Sequence, residues 1–371
     1  MSRARDLADL GGSADAGGLT GRNLIINGNM ACSQRGTQTD QTSGYTACDR
    51  WNFIESGSTV ITTSQSTDTP ASQGFANSLK VDVTTASGTP SASHYAIIRQ
   101  KLEGQDLQHL LYGTSSAKKI TLSFWVKSPK TGKQYVELYH TDAAYHNQQS
   151  YTIAAANTWQ YVSLTYNGYE TTAFDNDNGN SLMIQYWLMT GSDYTSGTTT
   201  ENTWHNTNAN RFSGLVNVVD NTANNWFLTG VQLEVGETAT PFEHRSYGDE
   251  LRRCQRFFQS FETGRVNTSL VSIATSTSQA VINMPLQAEP RVLASHDGSL
   301  ASGTFTKTGT VAINAFPSSG DNVTSIPFWV CNSTEITVAL NTSTTLVQYN
   351  GYVTRIGGSN GETVFTLDVE L

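Results

Sequence analysis

Catalysis in this chain would have to come from its histidines and carboxylates, and ligand binding from its loop aromatics. It has seven histidines, and only His140 and His146 approach ligand spacing. Six positions along a strand cover about 20 Å, so those two could share a metal only across a turn. The sequence contains no HExxH. DNDNG, Asp175–Gly179, has the oxygen-rich look of a calcium loop, but Tyr186 stands where the closing Glu belongs. An ordinary Asx-rich turn is the expectation there. Glycoside hydrolysis needs two carboxylates a few ångströms apart, whereas the acidic residues here are isolated in loops. The reading is a non-enzymatic protein with no metal and no cofactor, a glycan depolymerase being the alternative.

Binding chemistry is better represented. Sugar recognition combines aromatic faces with amides and carboxylates that reach hydroxyls. Two loops offer this mixture, Tyr139–Tyr151 and Gly191–Asn206. In them Tyr145, His146, Tyr194, Trp204 and His205 stand among polar neighbours, where a core residue would have apolar ones. These five are the candidate glycan-binding residues, the other reading being structural aromatics or subunit contacts. Trp51, Trp125, Trp159 and Trp226 sit inside alternating patterns and are expected to pack.

The elements that must position these loops are strands. DRWNFIE, SLKVDV, KITLSFWVKS, QYVELYH, TWQYVSLTY, SLMIQYWLM and NWFLTGVQLEV alternate apolar and polar residues between Gly/Ser/Thr/Asn loops. In KITLSFWVKS, Ile120, Leu122, Phe124 and Val126 share one face and Trp125 takes the other. NLIING is expected to open the series as an apolar strand, and DLQHLLYG to be a helical turn or a loop. Period two over so many segments predicts a β-sandwich, with a jelly roll preferred. Residues 265–371 alternate again in about six strands, predicting a second, smaller β domain.

Two segments break the pattern. Residues 1–22 place Ala4, Leu7, Ala8 and Leu10 on one short helical face after Ser2, before a flexible GGSADAGG. This reads as a docking arm carrying Arg3, Arg5, Leu7 and Leu10, the alternative being an ordinary frayed terminus. SYGDELRRCQRFFQSF predicts an amphipathic helix over 247–262, capped by Ser246 with Asp249. Tyr247, Leu251, Cys254, Phe258 and Phe261 would form its apolar seam, covered by the chain's own domains or by sister helices. The expected organisation is an arm (1–22), a sandwich (23–246), a connecting helix (247–262) and a C-terminal β domain (263–371).

Composition narrows the partners. Charged residues make up 14% of the chain, and 22 basic against 31 acidic residues give a net charge of −9. No basic run interleaves with aromatics, so nucleic acid is not an expected partner. No apolar run approaches the roughly 20 residues that span a bilayer. No apolar stretch follows Arg3 and Arg5 as a signal peptide would require. The four scattered cysteines, Cys32, Cys48, Cys254 and Cys331, read as reduced thiols.

A series of blocks also carries a family likeness. NLIINGNMACSQRGT, YTACDRW, KKITLSFWVKS, NTWQYVSLTY and TGVQLEVGETATPFEHRSYGDELRRCQRFFQ occur in this order over Asn23–Gln259. Together they resemble a carbohydrate-binding-like jelly roll of tailed-bacteriophage virion proteins, often tail fibres. MSRARDLADL is similar to the virion-attaching arm of such proteins. The resemblance implies a non-enzymatic structural protein on the particle surface, assembled in the host cytoplasm and often trimeric. It implies contacts to other virion proteins through the arm and to a host surface glycan. Tail fibre or spike is the favoured position, and head decoration or head fibre the alternative. The last third of the chain lies outside the resemblance.

Overall fold

The computed structural model describes residues 21–262, 268–276, 278–291, 304–308, 311–314, 321–325, 329–331, 335–342, 351–356, 364–368 and 370. The expected docking arm, with Arg3, Arg5, Leu7 and Leu10, lies outside the described residues. The chain divides into two compact units, one ending at Glu250 and the other running from Leu251 to Glu370.

The first unit is a sandwich of two six-stranded antiparallel sheets, as the alternation predicts. Its strands are β1 (Gln38–Gln41), β2 (Ser43–Tyr45), β3 (Asn52–Ser56), β4 (Val60–Ser66), β5 (Ser78–Thr85) and β6 (Tyr95–Glu103). They continue as β7 (Ile120–Lys127), β8 (Gly132–His140), β9 (Tyr145–Ile153), β10 (Gln160–Tyr166), β11 (Asn180–Thr190) and β12 (Asn225–Val235). One sheet has the order β1-β4-β5-β12-β7-β10 and the other β2-β3-β6-β11-β8-β9. From β3 onward the chain crosses repeatedly between sheets, which is the jelly-roll habit.

The inward residues of both sheets form one core. Ile120, Leu122, Phe124 and Val126 of β7 are fully buried in it, with Phe53, Ile98, Ile184 and Leu233. Trp51, Phe124 and Trp226 surround Tyr186 with ring centroids 5.1–6.1 Å away. The central strands β11 and β12 are buried along nearly their whole length, so their outward faces are covered in large part. DLQHLLYG supplies part of a 3-10 helix, Gly104–Leu110, with Leu107 and Leu110 in the core.

NLIING is not a strand. It runs beside β12 through isolated contacts, Leu24 N to Leu233 O at 2.9 Å and Val231 N to Gly28 O at 2.9 Å. The reason is Asn27, which takes a left-handed conformation (φ 58°) and turns the chain. Its side chain donates to the carbonyls of Cys32 (2.8 Å) and Asp49 (3.0 Å) and accepts from the Cys32 amide (2.9 Å). Its own carbonyl accepts the Trp51 indole N–H at 3.2 Å. Asn tolerates this backbone where an apolar residue would strain it. Cys32 and Cys48 are buried free thiols beside this turn. Burial, with the Asp49 charge, raises Cys48 well above its ordinary value.

The helix, α1, spans Tyr247–Gln255 and stops well short of the expected 262. Its start is as read from the sequence. Ser246 Oγ accepts from the Asp249 amide at 3.2 Å and donates to the Asp249 carboxylate at 2.5 Å. Its end is not, because Phe258–Glu262 forms strand β13, paired with β22 (Val364–Asp368). Phe258 and Phe261 therefore belong to a strand, and the five-residue helical seam does not exist. Tyr247 is 61% exposed, Leu251 is half-buried, and Cys254 and Phe258 are buried. The bulky, alternating FFQSF favours extended chain, and a waiting partner strand settles the competition.

Among the described residues the second unit holds ten strands, nine of them within residues 265–371, where the sequence suggested about six. The others are β14 (Thr268–Ser276), β15 (Gln279–Pro285), β16 (Thr304–Thr308), β17 (Val311–Asn314), β18 (Asp321–Ser325), β19 (Trp329–Cys331), β20 (Glu335–Thr342) and β21 (Gly351–Ile356). β13, β22 and β16 make a small sheet. The order β15-β14-β21-β17-β18-β20 closes on itself, because β15 also pairs with β20 along Gln279–Pro285. Closure leaves those six strands without a free edge, and β19 adds to the side of β20.

Replacing Asn27 by Ala removes three buried hydrogen bonds and strains a left-handed residue. A loss of about 3 kcal/mol is expected, measured as a lower urea midpoint of unfolding.

Candidate functional site

The five sequence candidates occupy two packed clusters. Tyr145 and His146 open β9; Tyr194, Trp204 and His205 lie in the connection between β11 and β12, residues 191–224. His146 and His205 exchange backbone hydrogen bonds at 2.7 and 2.9 Å, docking the connection on the edge of β9. The Trp204 indole donates to the Asn167 carbonyl at 2.8 Å. The Trp204 ring packs on Tyr169, Tyr112 and His140, and Tyr145 joins through Tyr169 at 5.2 Å. Tyr194 belongs elsewhere, with Tyr95, Trp187 and the Arg211 guanidinium. All five are half-buried, and their ring faces are engaged in holding the connection down.

Beneath them lies a buried ion pair. Glu137 of β8 is fully buried and receives Arg211 Nε at 2.7 Å and Nη2 at 2.5 Å. His146 Nδ1 lies 3.5 Å from the same carboxylate. Burial outweighs the pull of Glu137, and Arg211 and His205 oppose protonation further, so His146 is held down to about 4. Burial likewise lowers His205 and His140. His140 stacks on Phe174 and faces Tyr112, and register places it on the opposite face of the sheet from His146. In DNDNG, Asp177 Oδ1 accepts the Gly179 amide at 2.7 Å, an Asx turn. Among the described residues, no group of three or more His, Cys, Asp and Glu is placed to hold a metal.

The open, aromatic-lined surface is on the other sheet. A groove of about 610 Å³ crosses the outward face of β12, β7 and β10. Its floor is Gly230, Ser123 and Trp125, with Tyr161 beside Trp125 at 5.4 Å between ring centroids. Tyr161 is 46% exposed. The opposite wall is Phe75, Phe242 and His244, mutually packed at 5.0–5.6 Å, with Gln73 and Thr240 at the rim. Gly230 (φ +62°) allows this approach, because a Cβ there would meet the Phe75 ring at 2.6 Å.

Phe242 and His244 come from TPFEHR, the stretch that follows β12, and Phe75 from the connection between β4 and β5. The side chains of TPFEHR alternate. Glu243 and Arg245 turn inward, where the Glu243 carboxylate accepts the amides of Gly21 (2.6 Å) and Asn23 (2.7 Å). Arg245 donates to the carbonyls of Asn23 and Ile25. Phe242 and His244 are left facing the groove. Burial alone would raise the Glu243 carboxyl, but the two amides with Arg245 and Arg22 hold it below its ordinary range.

The sequence reading missed this groove and placed Trp125 among packing residues. The available signal was that Trp125 opposes the core face of its strand. Phe75, Phe242 and His244 gave no signal, since they meet Trp125 only through the fold.

No protein-family model matches the chain and no curated protein is similar to it. Among solved structures, it is similar to the enzymatically active domain of bacteriophage CBA120 tailspike protein 4. That match has 13% identity and a TM-score of 0.31, and covers 58% of this chain and 21% of the other. It is also similar to a family 11 carbohydrate-binding module of a Clostridium thermocellum cellulosomal cellulase. There the identity is 14% and the TM-score 0.27, with 55% of this chain and 98% of the other covered. Likenesses this distant transfer neither ligand nor activity.

The low His146 value has a consequence for stability. The unfolded chain takes up this proton near pH 6.5, the folded one only near 4. Stability is therefore full above about pH 6.5 and falls toward pH 4, by at most about 1.4 kcal/mol per pH unit. His146→Phe is expected to flatten this part of the pH–stability curve, read by denaturant titration at pH 7, 5.5 and 4.5.

Proposed function

We propose that this chain is a non-enzymatic, glycan-binding structural protein of a tailed-phage particle, of the tail-fibre or spike type. The observation that carries the glycan part is the groove with Trp125 and Tyr161 on one side and Phe75, Phe242 and His244 on the other. Aromatic faces of this kind stack on the apolar face of a sugar ring, while Gln73, Ser123 and Thr240 can reach its hydroxyls. Its volume suits a few sugar units. Among the described residues no Asp or Glu lines it, so the carboxylate pair of a glycosidase is not at hand there. The virion part rests on the sequence blocks of Asn23–Gln259 and on the arm-like MSRARDLADL. Homo-oligomer formation, trimeric by that resemblance, belongs to the same proposal.

Binding is tested on an array of host surface oligosaccharides. Trp125→Ala and Tyr161→Ala are each expected to weaken the best ligand at least about ten-fold without unfolding the protein. Unchanged affinity in both variants would remove the groove as the site, and shortening of the host polysaccharide by the protein would replace the non-enzymatic reading.

Attachment is tested by deleting residues 1–20, which leaves the Gly21 and Arg22 contacts to Glu243 and Glu234 in place. The truncated protein is expected to keep its fold and its oligomer size by native mass while no longer joining particles. Full incorporation of the truncated protein rejects the docking arm.

A further inference from the structure

The outward face of the β2-β3-β6-β11-β8-β9 sheet carries a polar row across five strands. Cross-strand register aligns Asn52 with Arg99, Arg99 with Gln185, Gln185 with Glu137 and Glu137 with Gln148. A neighbouring row is apolar, Ile54, Ile97, Trp187 and Tyr135. On its other side lie Lys101, Met183, Tyr139 and His146.

One end of the row is saturated. Glu137 holds Arg211, and the Gln148 amide reaches Thr200, Asn210 and His205. The middle is not. The half-buried Arg99 donates from Nε to Asn52 Oδ1 at 3.0 Å, and its Nη1 meets only the Met183 sulfur at 3.6 Å. No carboxylate among the described residues pairs with this guanidinium. Gln185, 6% exposed, spends its amide nitrogen on the same sulfur at 3.6 Å, and its carbonyl oxygen accepts no hydrogen bond. A thioether is a weak acceptor and a poor exchange for water. Burial lowers Arg99 from its ordinary value, with the neighbouring Tyr45 and Tyr95 opposing. A guanidinium drawn out of water in a chain of net charge −9, yet given no acid, is suited to an anion from outside.

We propose that Arg99, with Asn52 and Gln185, forms a second binding site that receives the carboxylate of an acidic sugar. The planar fork of arginine matches a carboxylate, and the free carbonyl of Gln185 lies in the adjacent register position to take a hydroxyl proton. The choice of a saccharide over an acidic peptide rests on the glycan-binding reading, but the site is on the other sheet from the groove and stands or falls separately.

The probes are oligomers of galacturonic acid and glucuronic acid, sialyllactose, the methyl esters of each, and an oligoglutamate peptide, titrated calorimetrically at fixed salt. At least one acidic sugar is expected to bind. Its methyl ester and the Arg99→Gln variant should each weaken binding at least about ten-fold, while Trp125→Ala leaves it unchanged. Arg99→Lys keeps the charge without the fork and should also weaken binding, which covers the case in which Arg99→Gln does not fold. The proposal is overturned if no acidic sugar binds, if esters bind as well as acids, or if folded Arg99 variants bind like the original. Oligoglutamate binding more tightly than any sugar would assign the site to a protein partner and overturn the saccharide. Loss of acidic-sugar binding in Trp125→Ala would place that ligand in the groove instead.

Discussion

The first unit depends on a clasp between its two ends. Glu243 and Arg245, just past the last strand, bind backbone groups of Gly21, Asn23 and Ile25 at its beginning. Asn23 returns the contact through its side chain, Nδ2 donating to Val231 O at 3.1 Å and Oδ1 accepting from Leu233 N at 3.1 Å. Glu250, in the first turn of α1, adds a bond to the Asn27 amide. These charge-assisted contacts satisfy peptide groups that no sheet ladder reaches. The clasp also shapes the groove. With Glu243 and Arg245 held inward, the alternation of an extended chain turns Phe242 and His244 toward Trp125.

The two sheets treat their outward faces differently. On the β12-β7-β10 side the covering is two short segments, around Phe75 and around Phe242, and aromatic surface stays open beside them. On the β11-β8-β9 side the long connection 191–224 lies down over the strands, anchored by Arg211 on Glu137 and by the His146–His205 pairing. A fully buried carboxylate is tolerable only with such a partner, so the connection is tied to the sheet by more than apolar contact. The sandwich therefore presents a built groove on one sheet and, on the other, a polar floor that the connection covers only in part.

The helix segment shows how a sequence pattern can continue through a change of structure. Tyr247, Leu251, Cys254, Phe258 and Phe261 keep helical spacing to the end, yet the last two belong to β13. Apolar residues spaced by three or four also occur by coincidence where a helix runs into an alternating strand. The capping box at Ser246 was legible because it is local. The exit near Gln255 was not, because β22 lies a hundred residues downstream.

By itself the sequence determined the class of this protein. Period two in segments such as KITLSFWVKS fixes which side chains face a core, and Ser246 with Asp249 starts a helix, because both depend only on neighbours in the chain. It also marked Tyr145, His146, Tyr194, Trp204 and His205 as aromatics in polar company. Only the tertiary structure decided that these five hold a connection in place, while Trp125, Tyr161, Phe75, Phe242 and His244 share an open groove. Likewise only register across five strands put Arg99 beside Gln185 with no acid. The physical reason is common to both. A binding surface is made of residues distant in sequence, and whether a ring or a guanidinium is free to meet a ligand depends on which other segment of the chain has already covered it.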